Sequence, residues 1–207
     1  LINDARLFAD ELIRVSVLFE EQWYHGFGEA IRYKHEGNMQ MVTYILNTLF
    51  NNTTKNINKP TINETAFFYH YGATLKRAEE FLVKYHESDN EIYFLMAWDL
   101  LSNFHKQLEN VFKSIKGNLF LENVSPLLIS FKNTKLLVPG VNRLFSLKSK
   151  EIYIESIEPV LKYLNSKRKP RKLSLMGSNG RKYSYLLKGN EDLRQDERVV
   201  QLMLLMN

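Results

Sequence analysis

The chain has 207 residues, 44% of them apolar and 25% charged, with a net charge of +5, which suffices for one good-sized core or two modest ones. It contains no cysteine, which excludes disulfides, thiolate metal sites and a cysteine nucleophile. Its apolar stretches, such as Leu202 to Met206, are far too short to span a bilayer, and charges at Asp4, Arg6 and Asp10 interrupt the start, so an intracellular location is expected. Asn51, Asn52, Asn63 and Asn123 sit in glycosylation-type triplets, read as chance in an Asn-rich chain.

The charge is uneven along the chain. Residues 1–116 carry 12 basic and 15 acidic side chains, net −3; residues 117–207 carry 16 and 8, net +8. This shift coincides with a change of pattern and suggests two domains. In the first, Leu7, Leu12, Val15, Leu18, Trp23, Phe27 and Ala30 keep roughly helical spacing to about Tyr33 and predict one long helix. A turn around Glu36, Gly37 and Asn38 leads to a short helix carrying Met41, Val42, Ile45, Leu46 and Leu49. Asn51 to Pro60 is polar and reads as a loop. Thr61 with Glu64, and Ser88 with Glu91, have the spacing of capping boxes. Each precedes a long periodic run: Phe67 to Tyr85, then Leu95 to Ile115. The prediction is an antiparallel four-helix bundle over residues 1–116.

The second part reads as strands. Pro139-Gly140 makes a turn after Leu136 to Val138, and Glu151 to Ile157 alternates in the strand manner. Leu173 to Met176 and Tyr183 to Leu187 flank Gly177-Ser178-Asn179-Gly180, a hairpin signal in which Asn-Gly suits a tight turn with positive φ at its central positions. Asn190 is a candidate N-cap, with Glu191 and Asp192 in the first helical turn, and the apolar run Val199 to Met206 stops without a cap, as if a helix were cut short. The fold class expected is α+β: the bundle, then a mostly antiparallel sheet ending in a helix.

Several residue groups are candidates for chemistry. Lys167, Arg168, Lys169, Pro170, Arg171 and Lys172 form the densest charge in the chain. The cluster fits a solvated turn, a nuclear-localisation signal, or a loop that cradles phosphate between strands. No aromatic residue is interleaved for base stacking, so no nucleic-acid partner is expected. Gly177 to Gly180 is too short for a dinucleotide loop, and no Lys-Ser/Thr pair follows it; a plain turn fits better. Lys188 closes an apolar strand and has Glu191, Asp192 and Asp196 nearby in sequence. A kinase needs such an arrangement, a strand lysine on the nucleotide phosphates positioned by a helix acid. His25, His35, His70, His86 and His105 show no metal-ligand spacing. Trp98 fits either partly buried core or a binding surface.

Glu11 to Val15 with Trp23, Gly26, Glu29 and Ala30, and then Ala97 to Leu100, resemble the first and fourth helices of the rapamycin-binding domain of target-of-rapamycin (TOR) kinases. Val124-Ser125-Pro126, Val138 to Gly140, Ser166-Lys167, Pro170 to Leu173, Leu175 to Gly180, Leu186 to Gly189 and Glu191 to Val199 resemble the start of the kinase domain of the same family, which is related to phosphatidylinositol 3-kinase. The resemblance covers essentially the whole chain. It implies that residues 1–116 are the helical rapamycin-binding domain, gating the active-site cleft and recruiting substrates, and that residues 117–207 are part of the kinase small lobe. It also implies a serine/threonine protein kinase of growth and nutrient signalling that uses ATP and magnesium. Ser166 would sit in the phosphate loop, and Leu164, Pro170 and Leu186 would line the adenine pocket. Lys188 would contact the phosphates, held by Glu191 or Asp196. Partners implied are protein substrates, TOR-complex subunits and anionic lipid at the helical groove, in the cytoplasm and at internal membranes. A related lipid kinase and a kinase-derived scaffold are the alternatives.

Some positions depart from that family. Arg168 adds charge to the phosphate loop. In the drug groove, Phe27 stands where the family has Leu, Ile31 where it has Ser, Leu95 for Thr, Ser102 for Tyr and His105 for Phe, while Trp98 is kept. Weak or no binding of rapamycin with its immunophilin is therefore expected. These 207 residues contain no His-Arg-Asp-like catalytic loop and no Asp-Phe-Gly. The base and metal ligands are expected beyond Asn207, and this stretch alone is expected to be inactive.

Overall fold

The computed structural model describes residues 2–55, 59–114, 117–141, 151–166 and 168–189. Its elements in order are α1 (Ile2–Ser16), α2 (Phe19–His35), α3 (Met39–Lys55), α4 (Ile62–Ser88), α5 (Glu91–Ser114), β1 (Asn118–Phe120), α6 (Leu121–Val124), α7 (Pro126–Ser130), β2 (Ile154–Ile157), β3 (Val160–Tyr163), β4 (Arg171–Gly177) and β5 (Lys182–Leu187). The expected helices and antiparallel sheet are present. The helix expected from Asn190 lies outside the described residues.

The first predicted helix is two helices. The chain leaves helical geometry at Val17 and Leu18, where Leu18 is extended at φ −79° and ψ 163°. The Leu18 N–H donates to the Glu21 carboxylate at 2.9 Å, restarting the helix as α2. The break lets one apolar stripe serve two cores. Phe8 and Val15 on α1 pack with the sheet, whereas Phe19, Trp23, Phe27 and Ala30 on α2 pack with α3, α4 and α5. A straight helix could not turn both sets toward their partners.

Two further boundaries differ from expectation. α3 continues through Asn51 to Lys55, which read as loop. Buried Thr53 accepts a hydrogen bond from the Trp23 indole N–H at 2.9 Å and donates to the Leu49 carbonyl, so a polar residue in this turn has buried partners while Asn51 and Asn52 face outward. The Thr61–Glu64 capping box forms in both directions. The one expected at Ser88 does not: α4 runs through Ser88, Asp89 turns left-handed, and Asn90 accepts from the Ile92 N–H to cap α5.

β4 is the centre of the five-stranded sheet. β5 lies along one side of it; β3 pairs with its first residues and β2 with its last, and β1 pairs with β3, all antiparallel. The hairpin between β4 and β5 has a three-residue loop. The Gly177 N–H donates to the Arg181 carbonyl, and only Gly180 has positive φ, +71°. That is a type I turn closed by a left-handed glycine, rather than the two-residue Asn-Gly turn expected. The core under the sheet gathers Leu121, Leu128, Val138, Ile154, Leu161, Leu173 and Leu175.

Candidate nucleotide face and helical groove

Strand alternation gives the sheet a buried and an open face. Lys172 pairs with Lys162 on one side and Leu186 on the other. Leu164, Pro170, Lys172, Leu186 and, continuing the alternation, Lys188 therefore share the open face. Leu164 is 40% exposed and Leu186 46% exposed, so the face carries apolar side chains that the fold itself leaves uncovered. Ser174 and Ser184, with hydroxyls 3.3 Å apart, keep its middle low. The Leu164 N–H donates to the Pro170 carbonyl at 2.9 Å, which brings those two residues side by side. Flat apolar surface beside a lysine suits a purine with phosphates, so the residues present fit ATP. Glu191 and Asp196, the acids expected to hold Lys188, lie outside the described residues. Lys188 is half-buried, and Gly189 after it presses against the α1–α2 break: a Cβ there would fall 2.6 Å from the Ser16 carbonyl oxygen.

The basic cluster does not act as one patch. Ser166 and Arg168 are exposed on the loop between β3 and β4, and Lys172 is exposed on the open face. Arg171 is 1% exposed on the opposite face. Its guanidinium donates to the Val15 carbonyl at 2.7 Å, pairs with buried Glu21 and lies over the Tyr163 ring. Beside this pair Glu20 is pushed above the usual carboxylate range by burial. Lys169, at φ +44°, donates to the Phe112 carbonyl at 2.6 Å and lies 5.0 Å from that ring's centre. Two of the cations read as phosphate-binding thus face the helical bundle. Their charge gave no hint of this in the sequence; the signal available was only their position flanking a proline at a strand start.

The residues expected in the helical groove lie on α2 and α5, which pack against each other. Phe27 is 1% exposed, with its ring centre 4.9 Å from Trp98 and 5.5 Å from His105. His105 stacks flat on Tyr24 and its Nε2–H donates to the Tyr24 carbonyl at 3.1 Å. Ile31 packs against the bundle core, Ser102 is half-buried, and Leu95 is 56% exposed. The Lys34 ammonium lies 4.5 Å from the centre of the Trp98 ring, a contact the sequence reading did not include.

Residues 11–110 match the FKBP12-rapamycin binding domain family. All of the chain aligns with serine/threonine-protein kinase TOR of Oryza sativa subsp. japonica at 37% identity, with mTor of Drosophila melanogaster at 38% and with TOR2 of Saccharomyces cerevisiae at 35%. The chain belongs to the target-of-rapamycin family. It spans about 8% of the length of these curated TOR relatives. The TOR rapamycin-binding match begins at Glu11, within α1, so it takes in the break between α1 and α2 as well as the bundle.

Proposed function

We propose that this chain is the part of a TOR-type serine/threonine protein kinase that forms the helical rapamycin-binding domain and the first half of the nucleotide site. The observation that carries this reading is the match of the whole chain to kinases of that name. On this reading residues 1–116 are the helical domain and residues 117–207 the start of the small lobe, with α1 as a strut between them. Leu164, Pro170 and Leu186 would receive the adenine ring; Ser166 and Lys188 would hold the phosphates. ATP bound there supplies the γ-phosphoryl group for transfer to protein Ser or Thr, with magnesium held by residues of the longer protein. Lys188 needs an acid partner to stay charged and aimed when partly buried, the role proposed for Glu191 or Asp196. The helical domain would gate the cleft, recruit protein substrates and complex subunits, and take anionic lipid in its groove.

Lys188→Met in the full-length kinase tests the site. The expected outcome is loss of phosphoryl transfer to a protein substrate, with an unchanged helical domain by circular dichroism. Near-normal transfer would refute the assignment.

A further inference from the structure

The loop from Leu164 to Pro170 is closed by its own backbone. The Leu164 N–H donates to the Pro170 carbonyl, and the Lys169 N–H donates to the Ser166 carbonyl at 3.1 Å. Lys169 is the left-handed residue of this closure, at φ +44°, a conformation that a side chain other than Gly or Asn adopts only when its surroundings hold it there. The surroundings are specific. The Lys169 ammonium reaches the Phe112 carbonyl, in the last turn of α5, where helix carbonyls have no intrahelical donor and the helix dipole favours a cation. The Phe112 ring stacks at 4.7 Å on Tyr24, which in turn stacks on His105. Two residues further on, Arg171 is fixed to the α1–α2 break. Both cations flanking Pro170 thus hold the loop from behind, and the Ser166 and Arg168 side chains are solvent-exposed.

We infer that Lys169 is a positioning residue for nucleotide binding. Its ammonium, seated on the C-terminal end of α5, sets the shape of the loop that carries Ser166, and so ties nucleotide affinity to the helical bundle. The inference rests on the proposed nucleotide site and concerns the longer kinase, in which chemistry is possible. Losing a hydrogen bond from a charged donor at a half-exposed position loosens the loop without unfolding the sheet, because the backbone ladder from β3 to β4 is untouched.

The test compares Lys169→Met, Lys169→Arg and Lys188→Met in the full-length kinase. The readouts are KM for ATP, kcat, KM for the protein substrate, and melting temperature. Lys169→Met is expected to raise KM for ATP about five- to tenfold, with kcat, KM for the protein substrate and melting temperature nearly unchanged. Lys169→Arg, which can still donate to the Phe112 carbonyl, should restore most of the affinity. An unchanged KM for ATP in Lys169→Met, or a fall in kcat that parallels a fall in melting temperature, would overturn the inference. Lys188→Met separates the two ideas. Full transfer in that variant refutes the nucleotide site itself, whereas loss of transfer there with a silent Lys169→Met refutes only the positioning role.

Discussion

The His105 imidazole is half-buried on α5, stacked on Tyr24, with Phe112 also stacked on that ring, His25 edge-on to it and Glu109 one turn along. Burial is the largest influence and holds its pKa below the ordinary histidine value; the hydrogen bond to the Tyr24 carbonyl and the Glu109 charge act in the other direction but do not overcome it. A folded-state pKa below the unfolded one means that the unfolded chain takes up the proton first. The resulting stability is full above about pH 6.5 and is lost as pH falls through the folded value. The urea midpoint of this chain should therefore drop between about pH 7.5 and about pH 5. His105→Phe, which keeps the ring stack, should show a smaller drop. An equal drop in both proteins would assign the effect to other groups.

The groove between α2 and α5 is an interaction between elements, and its side chains decide what it can admit. The resemblance to TOR implies that rapamycin with its immunophilin needs a small residue and an aliphatic one on α2 and aromatic walls on α5. Here Phe27 and Trp98 already pack on each other at 4.9 Å, β-branched Ile31 packs against the core, and Lys34 lies over the Trp98 face. Close-packed side chains do not yield space without cost. Ser102 and His105 stand where aromatic walls are expected, and each lost apolar wall weakens binding by about 1–3 kcal/mol, which is roughly 5- to 150-fold in affinity per wall. Titration of the chain with the drug–immunophilin complex is expected to show weak or no binding. The pair Ile31→Ser and His105→Phe should recover part of it. Nanomolar binding by the unaltered chain would contradict this account of the groove.

At the scale of the whole molecule, bundle and sheet are joined by one buried ion pair and by polar contacts that run through α1. Arg171 on β4 reaches Glu21 on α2 and the Val15 carbonyl at the end of α1. Arg14 on α1 pairs with Glu64, the capping-box acid of α4, and the Ser125 hydroxyl before α7 donates to Glu11 at 2.5 Å. Removing one partner leaves the other charge buried, which costs about 3–5 kcal/mol. Arg171→Met should therefore lower overall stability by about that amount and uncouple the two parts. Fluorescence of Trp23 and Trp98, both in the bundle, should then report a transition distinct from hydrogen exchange in β4 and β5. The added change Glu21→Gln should recover part of the loss, since the remaining group is then neutral. Coincident transitions in Arg171→Met would show that the apolar contacts of α1 suffice to couple the parts.

Local periodicity was enough to reveal the long helices, because each must bury one face whatever its partner, but it gave no sign of the short elements β1, α6, α7 and β3. The spacing of Phe67 to Tyr85 and of Leu95 to Phe112 gave α4 and α5, the alternation of Glu151 to Ile157 gave β2, the apolar runs flanking the Gly177–Gly180 turn gave β4 and β5, and Thr61 with Glu64 gave a cap made by neighbours in the chain. The candidate residues Leu164, Pro170, Leu186 and Lys188 came from motif likeness, and the alternation continued from the register of Lys162, Lys172 and Leu186 puts them on one open face. The tertiary structure alone decided where one helix became two, since the stripe from Leu7 to Ala30 does not say that its ends serve different cores. It also decided the helical state of Asn51 to Lys55, through the bond between Trp23 and Thr53, 30 residues apart. The same holds for the basic run ending at Lys172. Charge is visible in sequence, but whether a cation meets solvent, a phosphate or a buried carboxylate depends on partners such as Glu21, 150 residues away from Arg171, which only folding brings within reach.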